Sequence, residues 1–264
     1  MKDDLGDRMK GLESAEAGRK LDTTLPIMVR LDGKGFSKWT YGLERPFDER
    51  MSQLMRTVTD FLVKESHAQF GYTQSDEITL CLYSDSPERQ IFFDGKVQKL
   101  NSVLSSFATA KFNSLVNTYF MEDIGRKPLA FFDCRVWNVP SLEEATNCVI
   151  WRQLDASKNS VSMAARHYYS HKELMNKTCE EMKEMLLDCG VSWNDYPNFF
   201  KIGTLFLRRK KMTKFSYDEL EKLPEKHEAR VNPDFEIERS IVEGKSVNML
   251  DIEGNERVEF LFGR

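Results

Sequence analysis

The order of hydrophobic patterns over residues 27–137 constrains the fold more than any other feature of the sequence. Apolar residues alternate over 27–31, which predicts a strand, and helical spacing follows over 51–62 with Asp48 as the N-cap. Two alternating segments then predict a hairpin, a long helical segment follows, and the last strand pattern ends at Trp137. This order predicts an α+β fold of the ferredoxin-like βαββαβ type, with one antiparallel sheet backed by two helices.

The bounds of the later elements follow from the same patterns. Residues 67–72 and 78–83 are predicted as the strands of the hairpin, and 73–77 as its acidic tip. Helical spacing predicts one helix from about residue 91 towards 119, and residues 130–137 read as the last strand. In this unit the first strand and the hairpin are antiparallel neighbours, so the end of the first strand lies beside the hairpin tip.

Two acidic residues therefore meet at one end of the predicted sheet. Asp32 ends the first strand, and Asp76 lies in the hairpin tip. Carboxylates a few ångström apart repel each other unless a cation lies between them, and hard oxygen ligands suit Mg²⁺. We predict a magnesium site at Asp32 and Asp76, with Glu77 as an additional candidate. Either motif taken alone is more typical of a solvated turn, and only their coincidence favours a site.

Glycines and basic residues flank the first of these carboxylates. Gly33 and Gly35 leave the backbone bare, so a metal ion or a triphosphate can approach it closely. Lys34, Lys38 and Arg45 supply positive charge nearby. In phosphoryl and nucleotidyl transfer the protein mainly positions the reactants and neutralises oxygens. The sequence has the residue types that such chemistry needs.

Composition excludes several other classes of protein. The 264 residues include 38 Lys and Arg against 42 Asp and Glu, a net charge of -4, which excludes a small, strongly basic DNA-binding domain. The 5 Cys contain no C-x-x-C pair, which argues against a disulfide framework or a four-cysteine zinc site. No stretch approaches the roughly 18 uninterrupted apolar residues of a membrane span. We expect a soluble cytoplasmic protein.

Beyond the last predicted strand the patterns become helical and mixed. Ser141 fits the start of a helix, and we place a domain boundary there. This gives a palm-like domain over 1–140, with an N-terminal helical segment, and a C-terminal region over 141–264. The elements predicted in that region are helices over 145–154 and 174–187 and short strands over 237–242 and 258–262.

Two further features have an ordinary structural interpretation. The basic run over 208–211 is most typical of a solvated face, with phosphate contact as the alternative. Trp137 and Trp151 are interpreted as core residues rather than as platforms for base stacking.

Several sequence blocks together resemble the tRNA-histidine guanylyltransferase family, and most closely its bacterial and phage branch of guanylyltransferase-like 3′-to-5′ polymerases. The resemblance runs through most of the chain. The blocks that carry it are Arg30-Leu31-Asp32-Gly33-Lys34-Gly35-Phe36, Arg45-Pro46-Phe47-Asp48, Gly71-Tyr72-Thr73-Gln74-Ser75-Asp76-Glu77, Phe132-Asp133-Cys134-Arg135-Val136, Trp151-Arg152-Gln153-Leu154-Asp155 with Asn159, and Lys226-His227-Glu228-Ala229-Arg230 with Asn232-Pro233.

The resemblance implies a polymerase-type palm, a homotetramer and a set of site residues. It implies catalytic roles for Asp32 and Asp76, which with the Gly33 carbonyl would bind two Mg²⁺ ions. Arg45 stands where eukaryotic members carry Lys. The implied nucleotide-binding residues are Asp32, Gly33, Lys34, Gly35, Phe36, Ser37, Arg45, Ser75 and Asp76. Implied auxiliary residues, as phosphate or structural contacts, are Glu77, Arg135, Arg152 and Asn159.

The resemblance also implies the reaction. ATP activates the 5′-monophosphate of a tRNA, or the end already carries a triphosphate, and the 3′-hydroxyl of GTP or another nucleoside triphosphate attacks it. Members specific for tRNA-histidine carry His-Ile-Asn-Asn, whereas this chain has Ser157-Lys158-Asn159-Ser160, and it has Ser37 where they have His. This departure favours template-guided repair of 5′-truncated tRNA.

Other functions stay open at this point. A strict tRNA-histidine guanylyltransferase would use the same site to add a single G. A nucleotide cyclase would share the metal carboxylates and the palm-like sheet. An RNA-recognition module has the same order of elements, but residues 78–83 lack its stacked aromatic signature.

Overall fold

A six-stranded antiparallel sheet forms the centre of the fold in the computed structural model, which describes residues 4–86, 90–123, 127–232 and 234–263. Pro233, in the last of the sequence blocks above, lies outside the described residues. The strands are β1 (Ile27–Gly33), β2 (Phe70–Gln74), β3 (Glu77–Leu82), β4 (Phe132–Asn138), β5 (Thr204–Lys214) and β6 (Glu236–Lys245). Their order across the sheet is β4-β1-β3-β2-β5-β6.

The helices are numbered in chain order. The N-terminal helix buries none of its residues, whereas the third, fourth and fifth helices cover the sheet. The helices are α1 (Asp4–Ala17), α2 (Phe36–Trp39), α3 (Glu49–Glu65), α4 (Val97–Tyr119), α5 (Leu142–Tyr168), α6 (His171–Leu174), α7 (Cys179–Asp188), α8 (Asn198–Ile202), α9 (Tyr217–Lys222), α10 (Glu228–Val231) and α11 (Glu256–Phe262). Among the described residues, no helix is long and apolar enough to cross a membrane.

The predicted ferredoxin-like unit is confirmed. Strands β4, β1, β3 and β2 lie in that order, and α3 and α4 pack on one face of them. Asp48 is the N-cap of α3, because its side chain accepts hydrogen bonds from the backbone N–H groups of Arg50 and Met51. Alternation along β1 directs Val29 and its neighbours in the apolar series into this core. The residues between them therefore project from the opposite face.

The opposite face of the sheet is covered by α5. Met28 and Cys81 of the sheet pack there against Ala145 and Val149 of the helix. Strands β5 and β6 extend the same sheet beyond β2, so the chain after Ser141 contributes both this helix and two strands of the sheet. The division into 1–140 and 141–264 stays a prediction.

One predicted element of the C-terminal region is wrong, and another starts later than predicted. Residues 258–262 belong to helix α11 rather than to a strand, because Val258, Leu261 and Phe262 pack inward at helical spacing. The helix predicted over 174–187 is present as α7 but starts later, whereas Leu174 ends the separate short helix α6. Helix α7 begins after Thr178, whose side chain forms a capping box with Glu181. The strand predicted over 237–242 is present within β6.

Element boundaries differ in the palm-like part. The fourth helix begins at Val97 instead of near Ile91, because residues 92–95 form a separate turn in which Gly95 has a φ of 66°. The first hairpin strand begins at Phe70, and the tip consists of Ser75 and Asp76 alone. The hairpin is therefore tighter than the pattern indicated.

The basic run over 208–211 lies within β5. Arg208 donates hydrogen bonds to the backbone carbonyls of Val63 and Ala68, so the start of the run is tied to the fold. Lys210 forms an ion pair with Glu238 of β6, and both side chains are more than half exposed. The outer part of the run is a solvated face matched by acidic residues of the next strand.

Trp151 is not a core residue, contrary to the prediction. Helix α5 faces the sheet with Ala145, Val149, Gln153 and Ala156, which recur at helical spacing. Trp151 lies on another face of the helix, and 51% of its surface is exposed.

Candidate active site

Three carboxylates lie in one row across three neighbouring strands. Asp32 of β1 pairs directly with Asp133 of β4 on one side and with Glu77 of β3 on the other. Directly paired residues project from the same face of a sheet, which here is the face covered by α5. The row therefore concentrates negative charge at the end of β1.

Asp76 joins this row from the hairpin turn. Its carbonyl accepts a hydrogen bond of 3.2 Å from the Gly33 backbone N–H, which holds the turn against the end of β1. Ser75 makes the tight turn possible with a φ of 53°, and its hydroxyl donates to the Asp76 carboxylate at 3.1 Å. Burial raises the pKa of Asp76 to about 6, and the negative charge of Asp32 acts in the same direction. The structure thus brings Asp32 and Asp76 together at one end of the sheet.

Glu77 is neutralised by an arginine from α5. Arg152 donates from Nε to Oε1 at 2.7 Å and from Nη2 to Oε2 at 2.6 Å. Both side chains are 12% exposed. Burial raises the pKa of Glu77, and the hydrogen bonds from Arg152 oppose that shift. Because Arg152 occupies both oxygens, Glu77 is less suited to bind a metal ion than its two acidic neighbours.

The two remaining auxiliary residues are Asn159, which is linked to Arg152 through Asp155, and Arg135 on β4. Asp155 accepts from Arg152 at 3.0 Å and from Asn159 at 3.4 Å, so Asn159 ends a network that starts at Glu77. Arg135 forms an exposed ion pair of 3.4 Å with Asp133 on β4. Within the described residues, Arg152 and Asn159 therefore make structural contacts.

The loop after β1 is held in place by its aromatic residue. Phe36 is buried and packs against Trp39, Phe112 and Phe132. A Cβ on Gly33 would lie 2.3 Å from the Phe36 ring, so glycine is needed there. The Lys34 backbone N–H donates to the Phe131 carbonyl at 2.8 Å. Lys34, Gly35 and Ser37 are exposed beside the carboxylates, whereas Phe36 belongs to the core.

Arg45 and Ser75 line one cavity of about 100 Å³. Its walls are the loop before α3, the hairpin turn and aromatic side chains of α8. Phe47 of this loop lies 4.8 Å from the ring of Phe200 and 5.4 Å from that of Phe199. The sequence blocks contained Arg45 and Ser75 separately, but no spacing connects either of them to Phe199 and Phe200.

The donor atoms fit Mg²⁺ that arrives with a phosphate ligand. Within the described ranges, no group of three or more His, Cys, Asp or Glu residues could hold a metal ion by itself. Asp32 and Asp76 offer two carboxylates, and the Gly33 carbonyl is a third oxygen beside them. Mg²⁺ commonly takes one or two protein carboxylates and completes its shell with water and substrate phosphates. The raised pKa of Asp76 shows that its ionised form is disfavoured by burial and by Asp32. A bound cation would stabilise that ionised form.

The sheet topology and the acidic end of β1 define a palm-type enzyme of the nucleotidyltransferase class. A family model described as tRNAHis guanylyltransferase (Thg1) matches residues 6–140, which is half of the chain. The chain belongs to this family.

Two solved bacterial structures agree with this assignment, and a viral protein is also similar in sequence. A bacterial tRNA(His) guanylyltransferase (Thg1)-like protein, solved in complex with GTP, is 30% identical, with a TM-score of 0.74 over 98% of this chain and 99% of that chain. A bacterial Thg1-like protein in complex with ATP is 37% identical, with a TM-score of 0.72 over 77% of this chain and 88% of that one. An uncharacterised protein of Acanthamoeba polyphaga mimivirus, R259, is 31% identical over 78% of this chain and 77% of its own length.

Proposed function

We propose that this protein is a Mg²⁺-dependent enzyme that adds nucleotides in the 3′-to-5′ direction to the 5′ end of tRNA, and that it repairs 5′-truncated tRNAs under the guidance of the opposite strand. The observation that carries the proposal is the convergence of Asp32 and Asp76 beside a cavity lined by Arg45 and Ser75. ATP and GTP, the ligands of the two bacterial neighbours, are proposed as substrates here.

Asp32, Asp76 and the Gly33 carbonyl would hold the metal ions, two in number by the resemblance. When bound, Mg²⁺ lowers the pKa of an attacking hydroxyl and neutralises phosphate oxygens. Lys34 and Ser37 are exposed on the loop, and Arg45 lines the cavity; its guanidinium would meet a triphosphate with two hydrogen bonds. These residues would hold the triphosphate in line with the RNA end.

Two displacement reactions account for growth at the 5′ end. In the first, an oxygen of the RNA 5′-phosphate attacks the α-phosphorus of ATP, and pyrophosphate leaves. In the second, the 3′-hydroxyl of the incoming nucleotide attacks the activated 5′-phosphorus and releases its proton to solvent, a phosphodiester bond forms, and AMP leaves with its bond electrons. An end that carries a triphosphate releases pyrophosphate instead. Neither step needs a covalent enzyme intermediate.

The choice of substrate rests on residues 157–160 and on Ser37. This chain has Ser157-Lys158-Asn159-Ser160 where tRNA-histidine enzymes carry His-Ile-Asn-Asn. These residues lie in α5, where Ser160 is buried and accepts a hydrogen bond from Trp193 at 3.1 Å. Without the histidines of the specific enzymes, we propose that base pairing selects the nucleotide. Strict addition of G to tRNA-histidine is the alternative.

A nucleotide-incorporation assay separates these functions. Purified protein is incubated with Mg²⁺, labelled GTP and ATP, and either full-length tRNA-histidine or tRNAs of other identities that lack their first nucleotide. We expect templated addition to the truncated tRNAs, and dependence on ATP when the end is a monophosphate. Addition of G to tRNA-histidine alone would favour the strict enzyme. A cyclic product formed without RNA would favour a cyclase.

Assembly and location complete the proposal. The resemblance implies a homotetramer, which light scattering of the purified protein tests directly. A cytoplasmic location agrees with the proposed tRNA substrate and with the five free cysteines. Fractionation of cells that express a tagged protein tests it.

A further inference from the structure

A basic and aromatic strip lies beside the carboxylates on the α5 face of the sheet. Arg30 of β1 pairs directly with Arg135 of β4, so two guanidinium-bearing residues lie opposite each other on adjacent strands. Trp151 approaches from α5, with its ring 5.7 Å from Cζ of Arg30. We call Arg30, Arg135 and Trp151 the β1–β4 strip.

Arg30 donates no hydrogen bond and forms no ion pair in the part of the chain that the structure describes, although its charge opposes the rise in the pKa of Glu77. Both oxygens of Glu77 already accept hydrogen bonds from Arg152, and Arg135 has its own ion pair with Asp133. Like charges directly opposite on adjacent strands repel each other. A half-buried guanidinium in this position would be stabilised by an anion from outside the chain.

Trp151 gives the strip a surface for stacking. Half of its surface is exposed, although the ring also lies 4.6 Å from Cζ of Arg152. An exposed tryptophan beside arginine is the combination that binds single-stranded nucleic acid, because bases stack on aromatic rings and phosphates meet guanidinium groups. A phosphate alone would not need the aromatic ring, so a nucleotide chain suits the strip better than a free anion.

The position of the strip separates it from the cavity lined by Arg45 and Ser75. The sheet order β4-β1-β3-β2 puts the strip on the β4 side of β1 and the Arg45 cavity at the β2–β3 turn. Arg30 precedes Asp32 by two residues, about 7 Å along the strand. A chain bound on the strip therefore reaches the carboxylates from the side opposite to the cavity.

We propose that the β1–β4 strip binds the terminal nucleotides of the RNA strand that is extended, with a base stacked on Trp151 and a phosphate held by Arg30. This inference rests on the proposed function, since it assigns the path of the RNA towards Asp32 and Asp76. The strip lets the RNA end meet the triphosphate without competing for the residues around Arg45.

The test compares RNA binding with nucleotide use in strip variants. The probe is a fluorescent tRNA that lacks its first nucleotide and carries a 5′-phosphate, and binding is measured by anisotropy in EDTA at several salt concentrations. We expect Trp151→Ala to weaken binding about 10-fold and Trp151→Phe to retain most of it. Arg30→Gln should weaken binding and lower the slope of log affinity against log salt by about 1. The KM for GTP should change little in all three variants.

Matched controls separate the strip from folding and from general charge. Arg166→Gln removes an equal charge from an exposed site elsewhere on α5. This variant should leave the RNA affinity and the KM for GTP unchanged. Circular dichroism checks the fold. If Trp151→Ala does not fold, Trp151→Phe and Arg30→Gln carry the test, with retained and weakened RNA binding expected respectively.

The results that would contradict the role of the strip differ from those that would contradict the proposed function. If both Trp151→Ala and Arg30→Gln bind RNA with wild-type affinity, the proposed role of the strip is wrong, but the proposed 3′-to-5′ addition is unaffected. A higher KM for GTP with unchanged RNA affinity would assign the strip to the nucleotide instead. If the strip variants differ from the wild type in molar mass by light scattering, the strip is a subunit interface. A wild-type protein that neither binds nor extends tRNA would overturn both proposals.

Discussion

Arg152 and Glu77 form a bidentate ion pair that joins α5 to the first residue of β3, directly beside Asp76. Its two hydrogen bonds measure 2.7 and 2.6 Å, and both side chains are 12% exposed. The pair ties the helix on one face of the sheet to the acidic end of the hairpin. It also removes one negative charge from the row that contains Asp32 and Asp133.

Loss of this arginine should destabilise the protein. Arg152→Ala leaves Glu77 buried and unpaired, so we expect the free energy of unfolding to fall by about 3 kcal/mol. Urea unfolding followed by circular dichroism measures the change. Arg135→Ala, which breaks the exposed pair with Asp133, is the matched control and should cost less than about 1 kcal/mol. Equal losses in the two variants would contradict the burial argument.

Removal of either acidic ligand should stop catalysis without unfolding the protein. We expect Asp32→Asn and Asp76→Asn each to lower nucleotide addition on the order of 100-fold or more, because the metal-binding oxygens are lost. Incorporation of labelled GTP at saturating Mg²⁺ measures this. Asp133→Asn, which changes the third carboxylate of the row, is the control and should retain most activity. Near-normal addition by Asp32→Asn or Asp76→Asn would make the site assignment wrong.

The same replacement of Asp76 should stabilise the metal-free protein. Its pKa is raised to about 6 by burial and by Asp32, so the folded state favours the protonated carboxyl. Stability from this group is therefore present below the usual pKa of Asp and is lost as the pH rises through about 6. In EDTA at alkaline pH, we expect Asp76→Asn to raise the free energy of unfolding by on the order of 1–3 kcal/mol. In strongly acidic buffer the gain should disappear, and a gain independent of pH would contradict the electrostatic explanation.

Arg45 should affect the nucleotide more than the RNA. We expect Arg45→Ala to raise the KM for GTP about 10-fold, because charge-assisted hydrogen bonds to the triphosphate are lost. Arg45→Lys keeps the positive charge but loses the paired hydrogen bonds of the guanidinium, so its KM for GTP should lie between those of the wild type and Arg45→Ala. Steady-state kinetics with the KM for tRNA as the internal control tests this. If only the KM for tRNA changes, the assignment of Arg45 to the nucleotide site is wrong.

Gly33 should tolerate no side chain. A Cβ there would lie 2.3 Å from the Phe36 ring, so Gly33→Ala has to displace a ring packed in the core. We expect a loss of about 1–3 kcal/mol in thermal or urea unfolding. Gly11→Ala in α1, where no atom lies within 4 Å of the added Cβ, is the control. It should leave stability unchanged or raise it by up to about 1 kcal/mol.

The palm-like unit could be predicted because local patterns specify it. Alternation at β1, the N-cap at Asp48 and the order of elements are properties of short segments, and the structure confirms each of them. Local patterns predict the element less well where the same apolar residues fit both the two-residue period of a strand and the period of a helix. Val258, Phe260 and Phe262 alternate like a strand, but the consecutive residues Leu261 and Phe262 are both buried, which fits a helix better than a strand with one buried face.

The sequence by itself determined that Asp32 and Asp76 lie at one end of an antiparallel sheet, since strand order and direction suffice for that conclusion. Only the tertiary structure decided how α5 lies across the sheet. That placement pairs Arg152 with Glu77 and leaves Trp151 exposed beside Arg30. These contacts join residues about 75 to 120 positions apart, and no pattern within a segment encodes the packing of a helix against a distant strand.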